Sequence, residues 1–246
     1  MNSCPIVNPT ASPRHPALLQ QLRGSLVVSC QARPGEPLYG PEFMAAMARS
    51  AVLGGAGAIR VNEPQDITAV RQAVDVPVIG LWKDGEEGVY ITPTLAHALT
   101  VAEAGADIVA LDATIRPRRD RRTLAQTIGA IHDAGALVMA DIATLEEGLA
   151  AAAAGADMIS TTLSGYTPQS PRQSGPDLGL VAELAEATDT PVFAEGRYST
   201  PAQAAQALLL GAHAVVVGGA ITRPTDITSH FAAALGSSRL PREAAQ

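Results

Sequence analysis

The chain is poor in aromatic side chains, cysteine and positive charge, and each shortage closes off a class of protein. Aromatics make up 3% of the 246 residues against 47% hydrophobic residues in all, so the core must come from Ala, Val, Leu and Ile. That composition suits helices packed closely on strands. The two cysteines, Cys4 and Cys30, show no CxxC spacing and no neighbouring histidine cluster, which argues against a disulfide framework or a zinc site. Cys30 lies in an apolar run and reads as a small core residue. A net charge of -7 provides no basic field for nucleic acid or an anionic membrane surface. No apolar run approaches the roughly 18 residues of a membrane helix, and the N-terminus lacks the basic and apolar regions of a signal peptide. A soluble, cytoplasmic protein is therefore expected. Residues 1–17, rich in Pro, Ser and Asn, read as a poorly ordered arm, and residues 18–246 as one domain without a linker or composition break.

What the chain does have is a repeat of pattern. From Leu22 onward an alanine-rich helical segment, a Gly-Ala or Val-Pro turn, a short apolar run and a polar residue recur. The apolar runs are Leu26 to Cys30 ending at Gln31, Ala58-Ile59 ending at Arg60, and Pro77 to Trp82 ending at Lys83. Next come Ile108 to Leu111 ending at Asp112, Leu137 to Ala140 ending at Asp141, and Met158-Ile159 ending at Ser160, Thr161 and Thr162. Pro191 to Ala194 ends at Glu195, and Ala214 to Val217 ends at Gly218 and Gly219. Starts roughly 20 to 35 residues apart leave room for one helix and two loops, as a parallel βα unit requires. Eight units predict a (β/α)8 TIM barrel of the phosphate-binding type, with Gly105, Gly135, Gly155 and Gly211 as helix C-terminal turns. The alternative is a doubly wound open sheet. Its usual glycine-rich first turn is absent, since that turn here reads Gln31-Ala32-Arg33-Pro34-Gly35.

In a barrel the strand-end residues converge at one mouth, bringing together Gln31, Arg60, Lys83, Asp112, Asp141, Thr162, Glu195 and Gly218. Charged and amide residues gathered on one face point to a bound ligand. Gly196, Gly218 and Gly219 let backbone amides approach an anion closely, a short helix is expected after Ala220, and Arg223 can add a charge-assisted contact. Lys83 and Glu195 are the acid/base candidates, because a lysine closing a long apolar strand is partly desolvated and its pKa falls. The other reading of this pair is a mutual salt bridge fixing the rim. The basic stretch Arg116 to Arg122 reads as a solvated loop, with a place near a phosphate as the alternative. His97, His132 and His213 fall in helices or helix-to-strand turns away from the mouth, and no HxxxH or carboxylate spacing supports a metal.

Seven segments, in order and at compatible spacing from about Leu22 to Phe231, carry a resemblance. They are Leu-Val-Val-Ser-Cys-Gln-Ala-Arg-Pro-Gly-Glu-Pro-Leu (26–38), Val-Tyr-Ile-Thr-Pro-Thr (89–94), Ala-Asp-Ile-Val-Ala-Leu-Asp-Ala-Thr (106–114), Met-Ala-Asp-Ile-Ala-Thr-Leu-Glu-Glu-Gly (139–148), Thr-Thr-Leu-Ser-Gly-Tyr-Thr (161–167), Ala-Glu-Gly-Arg (194–197) and Gly-Gly-Ala-Ile-Thr-Arg-Pro (218–224). Together the chain resembles bacterial N-acetylmannosamine-6-phosphate 2-epimerases. The resemblance implies a barrel that interconverts N-acetylmannosamine 6-phosphate and N-acetylglucosamine 6-phosphate in sialic acid catabolism, without metal or nucleotide cofactor, as a homodimer. It implies Lys83 and Glu195 as the catalytic pair, and Gln31, Arg60, Asp141 and Arg223 as substrate contacts, with Thr162 beside them at the mouth. Gly196, Arg197, Gly218 and Gly219 become the phosphate loops. Two features depart from the family pattern. The residues after Lys83 read Asp84-Gly85-Glu86-Glu87 where the family often carries Arg-Asp, and position 82 is a bulky Trp. Two other classes of function stay open on the residues alone: a Schiff-base aldolase using Lys83, and a barrel that binds a sugar phosphate without turning it over.

Overall fold

The computed structural model describes residues 15–237, and in it the eight apolar runs become eight parallel strands. They are β1 (Leu26–Cys30), β2 (Ala58–Asn62), β3 (Val78–Leu81), β4 (Ile108–Asp112), β5 (Leu137–Asp141), β6 (Met158–Ser160), β7 (Val192–Glu195) and β8 (Ala214–Val217). Each pairs with its successor in sequence, and β8 pairs with β1 through Leu26 opposite Val215. The sheet closes with no free edge, which excludes the open doubly wound alternative. Outside it lie α2 (Pro41–Leu53), α3 (Pro64–Ala73), α4 (Leu95–Glu103), α5 (Leu124–Asp133), α6 (Leu145–Ala153), α7 (Leu178–Ala187) and α8 (Pro201–Leu209). A first helix, α1 (His15–Leu22), precedes the barrel, and α9 (Gly219–Thr222) and α10 (Pro224–Ser237) follow it.

Local chemistry sets the helix boundaries. Thr94, Thr123, Thr144, Asp177 and Thr200 cap their helices by accepting the amide three residues on, and Thr123 with Gln126 and Thr200 with Gln203 complete reciprocal capping boxes. At the other ends Gly105, Gly135, Gly155 and Gly211 adopt φ of 104, 85, 97 and 97°, the left-handed turn that only glycine takes without strain.

Alternation along the strands divides the core into two layers. Val27, Ala58, Ile79, Leu81, Ile108, Ala110, Met139, Phe193 and Val216 fill the barrel interior, while Val28, Ile59, Val109, Val138 and Ile159 meet the surrounding helices. Cys30 belongs to the outer layer, and burial pushes its thiol up to about 12, so it is a packing residue and not a nucleophile. Leu22, fully buried, and Leu18 and Leu19 of α1 pack against the interior cluster at the end where the strands begin. The His213 ring holds that helix through the Leu19 carbonyl at 2.7 Å.

Two boundaries differ from the sequence reading. Strand β2 continues past Arg60 to Asn62, because pairing with β3 persists through Arg60 opposite Ile79 and Asn62 opposite Leu81. Arg60 therefore sits mid-strand, inside the barrel and below its rim. Helix α1 begins at His15, within the stretch expected to be an arm, and residues 1–14 of that arm lie outside the described residues. No helix among the described residues is long and apolar enough to cross a membrane.

Asp66, in the first turn of α3, has its carboxyl pushed up from 3.8 to about 6 by burial and then by neighbouring Glu63. The folded state thus binds this proton more tightly than the unfolded chain. The stability so gained is complete below about pH 4 and is lost as pH rises through about 6. Asp66→Asn should accordingly raise unfolding free energy at pH 7.5 by about 1 kcal/mol and give no gain at pH 4, read by urea denaturation at the two pH values.

Candidate active site

A step of two residues along each strand carries the inward face from apolar to polar. Val27 leads to Ser29 and Gln31, Ala58 to Arg60 and Asn62, Leu81 to Lys83, and Ala110 to Asp112. In the same way Met139 leads to Asp141, Met158 to Ser160 and Thr162, Phe193 to Glu195, and Val216 to Gly218. A polar layer so forms above the apolar barrel filling, at the C-terminal ends of the strands.

Its centre is Arg60, 1% exposed. The guanidinium crosses the interior from β2 to β5, donating Nη1 to Asp141 Oδ1 at 3.0 Å and Nη2 to Asp141 Oδ2 at 2.6 Å. Nη1 also lies 3.0 Å from Glu195 Oε2 on β7. Burial opposes the charge on Arg60, but Asp141 and Glu195 more than offset it and the guanidinium stays protonated. Thr162 Oγ1 donates to Asp141 Oδ1 at 2.7 Å, and Ser160 Oγ donates to Glu195 Oε2 at 3.2 Å. Thr161 fixes the Glu195 backbone, its hydroxyl donating to the carbonyl at 2.9 Å and accepting the amide at 3.0 Å. Burial, and then Asp141, raise the Glu195 carboxyl above the usual range against the pull of Arg60.

Lys83 follows β3 at the mouth. Its Nζ donates to Gln31 Oε1 at 2.6 Å, and Gln31 Nε2 in turn donates to Ser29 Oγ at 2.8 Å. The side chain reaches solvent, yet the protein crowding its ammonium and the nearby Arg60 charge both lower its pKa. The mutual Lys83–Glu195 salt bridge weighed from sequence is not what forms: Glu195 pairs with Arg60, and Lys83 bonds to Gln31.

The glycine loops and arginines lie around this centre. Gly196 and Arg197 are consecutive positive-φ residues, at 106 and 59°, and a left-handed arginine stores strain of about 1–3 kcal/mol. Its guanidinium donates to the carbonyls of Gly175 (2.7 Å) and Ser164 (2.6 Å) and sits 5.0 Å over the Tyr166 ring. Arg197 thereby fastens the β6–α7 loop, where Gly165, Tyr166, Arg172 and Arg197 line a cavity of about 710 Å³. Gly218 and Gly219 open the short helix α9, and Thr222 ties it to β1 through the Ser29 carbonyl at 2.8 Å. Arg223 bonds to Glu36 of the β1–α2 loop and, at 3.1 Å, to Asp226.

Three surroundings differ from expectation. The Arg116–Arg122 stretch is solvated at Arg121 and Arg122 but docked through its first three arginines. Arg116 pairs with Asp112 at 2.6 Å, Arg118 donates to the carbonyls of Asp112 and Thr92, and Arg119 pairs with Asp84 at 2.7 Å. His97 is near the mouth, 3.4 Å from Asp84 and 4.5 Å ring to ring from Trp82, because the first turn of α4 abuts the loop after Lys83. Trp82 packs into the outer, helix-facing layer, so its bulk does not enter the mouth. Arg119 bonds Asp84, the residue after Lys83, from the neighbouring loop. Reading strand ends alone also missed Asn62, which accepts the Lys83 amide at 2.8 Å, and gave Ser160 no role of its own. Two-residue alternation through Ala58-Arg60-Asn62 and Met158-Ser160-Thr162 was the signal that marks both. Among the described residues no group of His, Cys, Asp and Glu is arranged to hold a metal ion.

Comparison with known proteins bears on this geometry. Residues 44–237 match the family described as "Putative N-acetylmannosamine-6-phosphate epimerase". The chain belongs to that family. Members carrying the matching 2-epimerase description are 53% identical in Cutibacterium acnes, over 89% of this chain and 96% of the relative, and 51% identical in Caldanaerobacter subterraneus, over 87% and 92%. Among solved structures, the N-acetylmannosamine-6-phosphate 2-epimerase from Clostridium perfringens superposes with a TM-score of 0.86 at 42% identity, covering 88% of this chain and 96% of that one.

The buried pair should dominate stability. Asp141→Asn leaves Arg60 with one carboxylate fewer in an interior it cannot leave, and should cost about 3–5 kcal/mol in urea unfolding. Replacing both members, Arg60→Met with Asp141→Leu, should cost less than the single change.

Proposed function

We propose that the chain interconverts N-acetylmannosamine 6-phosphate and N-acetylglucosamine 6-phosphate by moving the proton on C2, in amino-sugar and sialic acid catabolism. Family membership supplies the substrate class. The geometric observation that carries the chemistry is the placement of Lys83 and Glu195, after β3 and on β7. In a closed ring of eight strands these are four apart, so the two groups face each other across the mouth. Inverting a carbon calls for one proton-handling group on each face.

The C2 proton becomes acidic only when C1 is an aldehyde in the opened sugar. One group then removes it and the other returns a proton from the opposite face, with Lys83 and Glu195 exchanging roles in the two directions. A raised carboxyl and a lowered ammonium both approach neutrality, the condition under which general acid–base catalysis is worth roughly 10²–10⁴ in rate. Stabilising the enolate supplies much of the rest, and Arg60 is the charge nearest to hand, with Asp141, Thr162 and Gln31 holding hydroxyl and acetamido groups. Gly196, Arg197, Gly218, Gly219 and Arg223 are assigned to the phosphate, and Arg197 serves it by fixing the loop as well as by charge. A phosphorylated sugar does not cross a membrane unaided, so the reaction belongs in the cytoplasm.

The chain's partner is a second copy of itself. Phe231 and Leu235, one turn apart on α10, are 70% and 72% exposed, and among the described residues the helix packs chiefly on α9, with its apolar side uncovered. Phe231→Glu with Leu235→Glu should convert a dimer to monomer in light scattering.

Proton NMR in deuterium oxide with N-acetylmannosamine 6-phosphate reads conversion and C2 exchange together. Wild type should do both, and Lys83→Ala should lose exchange; exchange persisting at the normal rate would remove Lys83 as the base. Glu195→Gln should fall by about 10²–10⁴. Borohydride trapping of a substrate adduct on Lys83 would instead favour the aldolase class.

A further inference from the structure

The β1–α2 loop joins two parts of the site that the proposed reaction treats separately. At its start Gln31 takes the 2.6 Å hydrogen bond from Lys83 Nζ. In its middle Glu36 uses both carboxylate oxygens, Oε1 on the Arg223 guanidinium and Oε2 on the Arg33 amide at 3.0 Å. Near its end the Tyr39 hydroxyl donates to Glu63 Oε2 at 3.0 Å, and the adjacent Asn62 accepts the Lys83 amide. Gly35 and Gly40 turn the loop at φ of 88 and 128°, conformations that glycine takes without strain.

Charge makes the Glu36 contact consequential. Arg223 carries one positive charge and faces two carboxylates, Glu36 and Asp226. A dianion approaching this arginine meets surplus negative charge until a carboxylate leaves. Asp226 lies three residues on and moves with α10, whereas Glu36 belongs to a separate loop and is the one free to depart. We propose that Glu36 is a built-in surrogate for the substrate phosphate: it occupies Arg223 in the conformation seen here, and the phosphate displaces it, releasing the loop that ties Gln31 to Lys83.

The inference rests on the phosphate role given to Arg223 above and adds a function to it. The phosphate is then an activator as well as a handle, because its binding energy, remote from C2, is spent on rearranging the loop beside the catalytic lysine. A free oxyanion binding at Arg223 should do part of the same work for a sugar that lacks one.

Two measurements on wild type and Glu36→Gln test this. Calorimetry with inorganic phosphate should show the variant binding on the order of tenfold more tightly, a gain abolished when Arg223→Met is added. Deuterium exchange at C2 of unphosphorylated N-acetylmannosamine should be accelerated by added phosphite in wild type. In Glu36→Gln the exchange should be faster by a similar factor without phosphite and respond little to it. Equal phosphate affinity in the two proteins overturns the proposal. So does weaker binding in a variant of unchanged melting temperature, which would mean that Glu36 only orients Arg223. If wild type fails to exchange C2 of the phosphorylated sugar, the epimerase assignment falls, while the calorimetry still decides the latch.

Discussion

The structure turns on one guanidinium held inside a barrel. Moving a charge of this size out of water costs several kcal/mol even after relaxation, so Arg60 is tolerable only with fixed partners of opposite sign. Asp141 meets it with two hydrogen bonds and balances its charge. Glu195 is then the surplus carboxylate of the cluster, and burial without a full counter-charge raises its proton affinity. Desolvation, and then the same guanidinium, lower the proton affinity of Lys83. Burial thus shifts Glu195 up and Lys83 down, and the buried cation tempers the first shift while adding to the second.

The loops around this floor are held by arginines that bond backbone carbonyls and a carboxylate of neighbouring segments. Arg118 and Arg119 draw the β4–α5 loop onto Thr92 and Asp84, and Arg197 fastens the β6–α7 loop to β7. Glu147 does the same with a carboxylate, accepting the amides of Ile115 at 3.0 Å and Ala143 at 2.9 Å from two loops at once. Charge-assisted bonds to backbone groups hold irregular segments rigid without a hydrophobic core of their own. Within that frame the Glu36–Arg223 contact differs, because it is the one proposed to yield to a ligand.

How much of this could be read from the residues depends on the range of the interaction. The eight βα units were legible because each rests on local signals: a threonine or aspartate cap, a glycine turn, an apolar run. The mouth was legible because parallel strands in a closed sheet all end on one side, so Gln31, Lys83, Asp141 and Glu195 could be gathered without coordinates. Arg60 was misplaced as a strand end, since an arginine interrupting an apolar run looks like an exit unless a partner is known to wait inside. The docking of Arg116, Arg118 and Arg119 was missed for the same reason, their partners lying at the end of β4 (Asp112) and in the β3–α4 loop (Thr92 and Asp84).

The sequence by itself therefore determined the architecture, the set of residues at the mouth and the family, all of which follow from periodicity and short motifs. Only the tertiary structure decided the pairing: that Glu195 answers Arg60 and not Lys83, that Lys83 leans on Gln31, and that Arg223 is already engaged by Glu36. Partner choice among converging charges depends on ångström-scale distance and on which groups lose water, and neither is encoded in the spacing of residues along the chain.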